Sequence, residues 1–387
     1  MPQAPYDVAV IGAGPAGSST AAELAKRGFK VALLEEHAQP GVPQHCAGML
    51  TKKACRFLRI HVPREVVQAE PARIRLRYGS LTLEARFELY IVNRSLLDQY
   101  LAERAVELGT ELITRFKVVS MARKEGLWRL KARDSRELTA KLVVGADGYK
   151  ARSVRLVGLS RPKEAASCLQ YELELPGEVD TGLVACYFGS EVAPGGYAWV
   201  VPIGERSLRV GLGVRKPGAR HPAKHYLDRL VGSLFPGARV MRRLAGLVSV
   251  GGPMRPSYTD AFLAVGEAAG QVNPITGAGC ASAIACGRIA GRVAAGALEE
   301  DDLSAGRLAE YERRWWDLLG LSYQLALRLR ALLEAMSRQQ LIKLARTSSW
   351  ALSSGHAGLA VLWALAARPE LLKLLPYWRR LKLLPYF

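Results

Sequence analysis

The chain begins with a short, continuous run of apolar residues that predicts a buried strand over Tyr6–Ile11. A turn rich in glycine follows. Small residues at helical spacing then predict a helix to about Arg27, with Gly28 as its stop. Lys30–Leu34 is a second apolar run. The pattern therefore predicts a strand–helix–strand unit at the start of the chain.

Alternating hydrophobic and polar residues predict strands over Arg73–Leu89, and helical spacing predicts a helix over Ser95–Leu108 with Ser95 as its N-cap. Apolar strands are predicted again over Leu142–Ala146 and Ala261–Val265. Between these two, short β-like runs are separated by Gly and Pro, which predicts an antiparallel sheet. These runs are Ser167–Leu175, Leu183–Phe188, Tyr197–Ile203 and Ser207–Val214.

Small residues over Ala278–Leu298 predict a further helix, and helical spacing continues after Leu303. At 387 residues the chain is longer than one hydrophobic core usually supports. We expect an α/β domain over 1–160 and 251–300 and an antiparallel-sheet domain over 161–250. A helical C-terminal region, both basic and apolar, is expected over 301–387.

The composition is that of an ordinary globular protein, with 49% hydrophobic and 23% charged residues. The first apolar run is too short for a signal peptide, and no apolar run is long enough to predict a membrane-spanning helix. The six Cys include no CxxC pair, which argues against a disulfide framework and against a metal site. The net charge of +19 predicts an anionic partner, which would be nucleic acid, lipid headgroups or an acidic substrate.

Gly12, Gly14 and Gly17 form a GxGxxG motif between the first strand and the first helix, and the second strand ends at Glu35. The first glycine permits the tight turn, the second lets the backbone approach a pyrophosphate, and the third allows close helix–strand packing. Unpaired N–H groups at the helix N-terminus would bind the pyrophosphate, and the Glu35 carboxylate would bind ribose hydroxyls. This combination predicts a site for FAD or NAD rather than NADP.

The N-terminal position of the motif favours FAD. We therefore expect the domain over 1–160 and 251–300 to be a Rossmann-like FAD-binding domain, with the antiparallel sheet over 161–250 as the substrate domain. Two later segments support this choice, because in each an apolar strand ends in a glycine and an acid. The second of them continues through further glycines to a helix, whose N-terminal N–H groups could face the flavin where reduction adds negative charge. The residues concerned are Gly145, Asp147, Gly266, Glu267, Gly277 and Gly279.

Together these elements resemble the flavoprotein monooxygenase-like superfamily with the para-hydroxybenzoate hydroxylase fold. Three segments resemble its geranylgeranyl reductase family: the loop QHCAGML around Cys46, the helix start over Ile91–Asp98, and YAWVVP over Tyr197–Pro202, which is similar to a YxWxFP substrate-cavity motif. The resemblance covers residues 1 to about 300. It implies reduction of isoprenoid double bonds, in archaeal digeranylgeranylglycerophospholipids or in the geranylgeranyl chain of chlorophyll precursors.

The resemblance also implies roles for individual residues. The FAD contacts would be Ala16, Glu35, Cys46, Ala47, Met49, Arg94, Val118, Glu267, Gly279 and Cys280. Tyr197, Trp199 and Pro202 would line the substrate cavity. The sequence does not identify the proton donor, for which Cys46, Tyr197 and the reduced flavin itself are the candidates. Two positions depart from the family pattern: Glu267 replaces an Asp, and Val201 replaces a Phe, which would widen the lipid channel.

The C-terminal region interleaves aromatic and basic residues, a pattern typical of a membrane interface. The aromatic residues are Trp350, Trp363, Tyr377, Trp378, Tyr386 and Phe387, and the basic residues are Arg368, Lys373, Arg379, Arg380 and Lys382. A helical cap on the fold is the alternative. Nucleic acid is disfavoured because the aromatic residues lie in apolar runs. We expect a cytoplasmic protein that is peripheral at the inner face of the cell membrane.

Three functions remain open at this point. The leading hypothesis is an FAD-dependent reductase of polyprenyl lipid chains, with electrons from ferredoxin, whose acidic surface suits the net charge, or from a reduced nicotinamide. The second is a monooxygenase or halogenase acting on an aromatic or apolar small molecule, because YxWxxP resembles the halogenase WxWxIP motif. The Lys that halogenases need has no evident counterpart. The third is a non-catalytic flavin- or lipid-binding protein.

Overall fold

The computed structural model describes residues 4–215 and 219–342. The aromatic and basic residues predicted to form a membrane interface lie outside the described residues. Within the described ranges, helices and strands follow the predicted order closely. Tyr6–Ile11 and Leu183–Phe188 are strands with the predicted bounds.

The strands, in chain order, are β1 Tyr6–Ile11, β2 Val31–Leu34, β3 Met49–Thr51, β4 Val67–Ala69, β5 Arg73–Tyr78, β6 Leu81–Arg86, β7 Leu89–Val92, β8 Glu111–Ile113, β9 Val118–Lys124, β10 Leu127–Ala132, β11 Glu137–Gly145, β12 Ala165–Glu174, β13 Leu183–Phe188, β14 Tyr197–Gly204, β15 Ser207–Arg215, β16 Arg239–Ser249, β17 Tyr258–Thr259 and β18 Phe262–Ala264. The helices are α1 Pro15–Ala25, α2 Lys52–Phe57, α3 Arg94–Glu107, α4 Arg152–Leu156, α5 Ala223–Leu234, α6 Cys280–Glu299, α7 Ala305–Trp315 and α8 Leu321–Ala335. A π-helical turn over Trp316–Gly320 joins α7 to α8.

The first sheet, called the mixed sheet below, has the order β17-β18-β11-β1-β2-β8, with β10 and β9 added beside β11. Strands β18, β11, β1, β2 and β8 are parallel to one another, with Val8 paired to Val31 on one side and to Leu142 on the other. All three of these residues are buried, as expected for a parallel sheet covered on both faces. The predicted Rossmann-like fold is confirmed.

The second sheet, called the antiparallel sheet, has the order β16-β12-β15-β14-β13-β5-β6. Its neighbours are antiparallel except for β13 and β5, which run in the same direction. Two of its strands come from residues 73–86, so the sheet extends beyond the predicted segment 161–250. Strands β3, β7 and β4 form a small third sheet in that order.

Close packing of small residues holds α1 between the mixed sheet and α6. A Cβ at Gly287 would lie 2.4 Å from the Ala16 carbonyl oxygen, and one at Gly291 would lie 2.9 Å from that of Thr20. Thr20 Oγ1 donates to the Ala16 carbonyl at 2.8 Å. The two helices therefore approach closely because Gly and Ala occupy the contact, which agrees with the small-residue pattern of both segments.

Two local predictions were wrong or incomplete. The N-cap of α3 is Asn93 and not Ser95, because the Asn93 side chain accepts from the backbone N–H groups of Ser95 and Leu96. The Ser95 hydroxyl instead donates to the Gly41 carbonyl at 2.7 Å. Strand β16 was not predicted. It lies at the edge of the antiparallel sheet and carries exposed charged residues that obscure the alternation.

Candidate active site

The glycine-rich turn after β1 has the geometry that its sequence predicts. Gly12 has φ of +102°, and a Cβ there would lie 2.5 Å from the Ala146 carbonyl oxygen. A Cβ at Gly17 would lie 1.9 Å from the Gly12 carbonyl oxygen. A Cβ at Gly14 would meet no atom within 4 Å, so this position faces open space. Gly14 is the N-cap of α1, and no side chain caps the helix. The arrangement fits a pyrophosphate lying against Gly14.

Glu35 lies at the end of β2 and is almost fully buried. One carboxylate oxygen accepts from the Ala13 backbone N–H at 3.1 Å, and the other accepts from the His37 backbone N–H at 2.9 Å and lies 2.7 Å from His37 Nδ1. The predicted ribose-binding acid therefore also holds the glycine-rich turn in place. Val118, predicted beside the adenine, is buried at the start of β9.

Arg94, the first residue of α3, forms an ion pair with Asp98 one turn further on, with three contacts of 2.9 to 3.0 Å. Both side chains are largely buried. Burial disfavours the charged form of Arg94, but the nearby Asp98 and the thiols of Cys280 and Cys46 outweigh it and raise the Arg94 pKa. Burial raises the pKa of Asp98. The structure thus brings Arg94, Cys46 and Cys280 into one neighbourhood.

Asp147 and Glu267 follow neighbouring parallel strands. The carboxylate of Asp147 accepts from both the backbone N–H and the hydroxyl of Ser153, at 2.9 and 2.6 Å. Glu267 Oε1 accepts from the Ser249 backbone N–H at 3.0 Å, and burial raises the pKa of Glu267. Both acids therefore accept hydrogen bonds from the protein itself.

The turn Asn273–Gly279 precedes α6 and is called the pre-helix turn below. Asn273 Oδ1 accepts from the backbone N–H groups of Ile275 and Thr276 and orders the turn. Gly277 has φ of +69°, which a left-handed turn position requires. No side chain caps the N-terminus of α6, where Gly279 is the N-cap and Cys280 the first residue. The site therefore contains a second helix N-terminus available to an anionic group.

An apolar face of the antiparallel sheet packs against the segment around Cys46. Trp199 is buried there with Cys186 and Val201, and Ala47 and Met49 from the Cys46 segment pack on the same cluster. The ring of Tyr197 lies 5.7 Å from those of Phe188 and Trp199. Among the described residues, Trp199 Nε1 and Gln170 Oε1 are buried polar atoms without a hydrogen-bond partner.

The structure separates Pro202 from this face. Residues of β14 alternate between its two sides, so Pro202 shares the side of Ala198 and Val200. Its cross-strand partner, Leu208, belongs to the cluster that packs against α5. Pro202 therefore does not lie on the face that carries Tyr197 and Trp199.

Sequence reasoning missed three residues of this region, Gln170, Arg209 and Arg330. Arg209 is only 1% exposed and donates to the Ala47 carbonyl at 2.8 Å. Arg330, on α8, donates to the Pro274 carbonyl at 3.2 Å. Arg209 could have been found from the sequence, because it is a charged residue inside the apolar, glycine-containing strand β15. The helical pattern of α8 does not distinguish Arg330 from an ordinary surface residue.

The residues present fit FAD: Gly14 faces open space, two helix N-termini lack side-chain caps, and the Glu35 carboxylate lies beside the glycine-rich turn. A family model described as an FAD binding domain matches residues 5–209. The fold and site define an FAD-dependent flavoprotein oxidoreductase.

The chain is 35% identical to digeranylgeranylglycerophospholipid reductase 2 of Methanothermobacter thermautotrophicus, over 96% of this chain and 98% of that protein. It is 33% identical to digeranylgeranylglycerophospholipid reductase of Methanocaldococcus jannaschii, over 95% and 97%. The chain belongs to the digeranylgeranylglycerophospholipid reductase family.

Solved structures agree with this assignment. A geranylgeranyl bacteriochlorophyll reductase-like protein from Thermoplasma acidophilum superposes with a TM-score of 0.87 and 28% identity, over 96% of this chain and 99% of that one. A halogenase in complex with phloroglucinol and FAD superposes with a TM-score of 0.70 at 17% identity, over 93% of this chain and 86% of that one, and shares the fold alone. These comparisons favour the reductase over the halogenase alternative. Over residues 4–215 and 219–342, no helix is long and apolar enough to cross a membrane.

Proposed function

We propose that this protein saturates the carbon–carbon double bonds of geranylgeranyl chains in an archaeal ether phospholipid precursor. One observation carries the proposal. The apolar face with Tyr197 and Trp199 packs directly on Ala47 and Met49, which follow the candidate flavin residue Cys46 in the chain. A polyprenyl chain lying on this face would be close to the flavin and shielded from water. Several curated relatives are named for reduction of such a lipid, which supports the same substrate class.

Reduction of an isolated alkene requires a hydride on one carbon and a proton on the other. Bound FAD in its reduced form supplies the hydride. The protein must exclude water, because bonding of the proton to one carbon leaves cationic character on the other, which is the carbon that takes the hydride. Trp199, Val201 and Cys186 are buried apolar neighbours that would provide this environment.

We favour Cys46 over Tyr197 as the proton donor. The Tyr197 hydroxyl proton is already engaged, since it is donated to the Thr276 carbonyl, and burial raises the pKa of Tyr197 far above its usual range. The Cys46 thiol is partly exposed, and its Sγ accepts from the Gly48 backbone N–H at 3.4 Å. The Cys46 Sγ–H is therefore the more available proton.

The net charge of +19 supports two further parts of the proposal. An acidic ferredoxin would be attracted to this protein as electron donor, with a reduced nicotinamide as the alternative. Anionic lipid headgroups would be attracted in the same way, which supports peripheral association with the cytoplasmic face of a membrane.

The test is anaerobic incubation of the FAD-loaded protein with a chemical reductant and a geranylgeranyl ether phospholipid, followed by lipid mass spectrometry. We expect each saturated double bond to add two hydrogen masses. Absence of any mass gain with the flavin fully reduced would refute the proposal. In a parallel aerobic assay, substrate-stimulated oxygen consumption would instead support the monooxygenase or halogenase class.

A pair of tryptophan variants locates the activity. Trp199→Ala is expected to lower lipid turnover or to change how many double bonds are reduced. Trp128→Ala is the matched control, because Trp128 is equally buried but lies on β10, where its Nε1 donates to the Ala261 carbonyl. Equal effects of the two changes would show that Trp199 acts through general stability alone.

A further inference from the structure

The segment His45–Gly48, called the thiol loop below, is attached to three adjacent strands of the antiparallel sheet through three consecutive residues. His45 Nδ1 donates to the Ala245 carbonyl on β16 at 2.7 Å. Gln170 Nε2, on β12, donates to the Cys46 carbonyl at 3.1 Å. Arg209 Nη1, on β15, donates to the Ala47 carbonyl at 2.8 Å. The loop that carries the candidate thiol is therefore aligned by the sheet that carries the candidate substrate face.

The opposite side of the thiol loop is held by the small sheet. The Val92 backbone N–H donates to the Gly48 carbonyl at 2.8 Å. Gly48 has φ of +80°, and a Cβ there would lie 2.2 Å from the Val92 carbonyl oxygen and 3.1 Å from Arg209 Nη1. The loop thus passes between β7 and the Arg209 side chain and makes contacts with both.

Arg209 is the charged member of this arrangement, and its own position is tightly determined. It is 1% exposed, and its guanidinium forms an ion pair with Glu172 at 2.8 Å and donates to Gln68 Oε1 at 3.2 Å. A planar guanidinium can satisfy several acceptors at once in a rigid geometry, which a lysine ammonium cannot reproduce. Only one of its donors is directed at the thiol loop, and the others fix the guanidinium in place.

We infer that Arg209 is a positioning residue for Cys46: through the Ala47 carbonyl it holds the thiol loop in the register in which the thiol faces the reacting lipid. The role in turnover rests on the proposed function. The effect of Arg209 on the accessibility of the Cys46 thiol does not rest on the proposed function, because Arg209 contacts the thiol loop in the protein without substrate.

The main test measures alkylation of Cys46 in the FAD-loaded protein by iodoacetamide across a pH series, with the Cys46 peptide quantified by mass spectrometry. Arg209→Met is expected to raise the alkylation rate about tenfold, because the loop opens more often. It is expected to lower kcat for lipid reduction by about tenfold to a hundredfold with little change in KM, since small misplacement of a reacting group has effects of this size. Arg209→Lys should show a smaller rise in the Cys46 alkylation rate and a smaller fall in kcat than Arg209→Met.

A double variant separates positioning from simple charge balance. Arg209→Met leaves Glu172 without its main partner, whereas Arg209→Met with Glu172→Gln removes both charges. If Arg209 positions the loop, fast alkylation and low kcat persist in the double variant even where thermal stability recovers. Recovery of both alkylation rate and kcat together with stability would overturn the inference.

Arg206→Met is the matched control. Arg206 lies in the turn before β15 and donates to the Leu175 and Pro176 carbonyls, not to the thiol loop. It should leave the alkylation of Cys46 at the wild-type rate. Unchanged alkylation in Arg209→Met would also overturn the inference while leaving the proposed function intact. Altered alkylation in a protein that reduces no lipid would instead contradict the proposed function alone.

Discussion

The Tyr197 hydroxyl donates a 2.6 Å hydrogen bond to the Thr276 carbonyl. Tyr197 belongs to the antiparallel sheet, and Thr276 belongs to the pre-helix turn before α6. The bond therefore links the candidate substrate face to the candidate flavin site. It also assigns the hydroxyl proton of Tyr197 to a structural contact.

Tyr197→Phe is expected to retain lipid turnover within about tenfold of wild type, because a general acid is not lost. The change should lower the free energy of unfolding by about 1 kcal/mol, since the Thr276 carbonyl loses its donor. Thermal unfolding and steady-state lipid reduction test both parts. A loss of turnover of about a thousandfold with FAD retained would make Tyr197 the proton donor after all.

Arg330→Met should weaken FAD retention and lower turnover, because Arg330 donates to the Val250 and Pro274 carbonyls and pairs with Glu164. These contacts tie α8 to the pre-helix turn. FAD retention is measured by gel filtration followed by the visible spectrum. Arg328→Met is the control, because Arg328 lies on the same helix and is exposed. Equal retention in the two variants would mean that α8 does not support the turn.

Two glycine variants should separate cofactor binding from folding. Gly14→Ala should fold normally, because its Cβ meets no protein atom within 4 Å, but it should bind FAD about tenfold more weakly if the pyrophosphate lies there. Gly17→Ala should fail to fold stably, because its Cβ would lie 1.9 Å from the Gly12 carbonyl oxygen. Titration of the apoprotein with FAD and thermal melting provide the measurements. Wild-type FAD affinity in Gly14→Ala would exclude close pyrophosphate contact.

Glu36 should make the stability depend on pH. Burial opposes its ionisation, but the hydrogen bonds and charges of Lys117 and Lys150 outweigh this and lower the Glu36 pKa from 4.5 to about 2. Ionised Glu36 therefore stabilises the folded state above about pH 4.5, and this contribution disappears as the pH falls towards 2.

Glu36→Gln should accordingly lower the free energy of unfolding by about 1 kcal/mol at neutral pH, a value reduced by solvent screening of the partly exposed lysines. The difference in free energy of unfolding between the variant and the wild type should narrow as the pH falls through 4. Melting temperatures at a series of pH values test this. Glu125→Gln, at an exposed position, should show no such trend. A difference that is constant with pH would mean that the Lys pairs contribute nothing.

The motif residues illustrate what could be predicted from sequence. Gly12 and Gly17 lie as predicted because each position has a local geometric demand that only glycine meets, whereas at Gly14 the protein leaves space for a Cβ and the predicted demand comes from the pyrophosphate. Ser95 was mistaken for the N-cap because Asn93, two residues earlier, is an equally good capping residue. Pro202 was grouped with Tyr197 and Trp199 by its motif, although strand alternation directs it to the other face.

Residue types and spacings within short segments were enough to predict most strands and helices, the dinucleotide-binding turn and the family. They did not show which polar side chains reach the thiol loop and the pre-helix turn, because that depends on how distant segments pack together. Arg209 contacts Ala47 across 162 residues of chain, Gln170 contacts Cys46 across 124, and Tyr197 contacts Thr276 across 79. No local pattern encodes such contacts, since they exist only after the two large sheets have packed around the site.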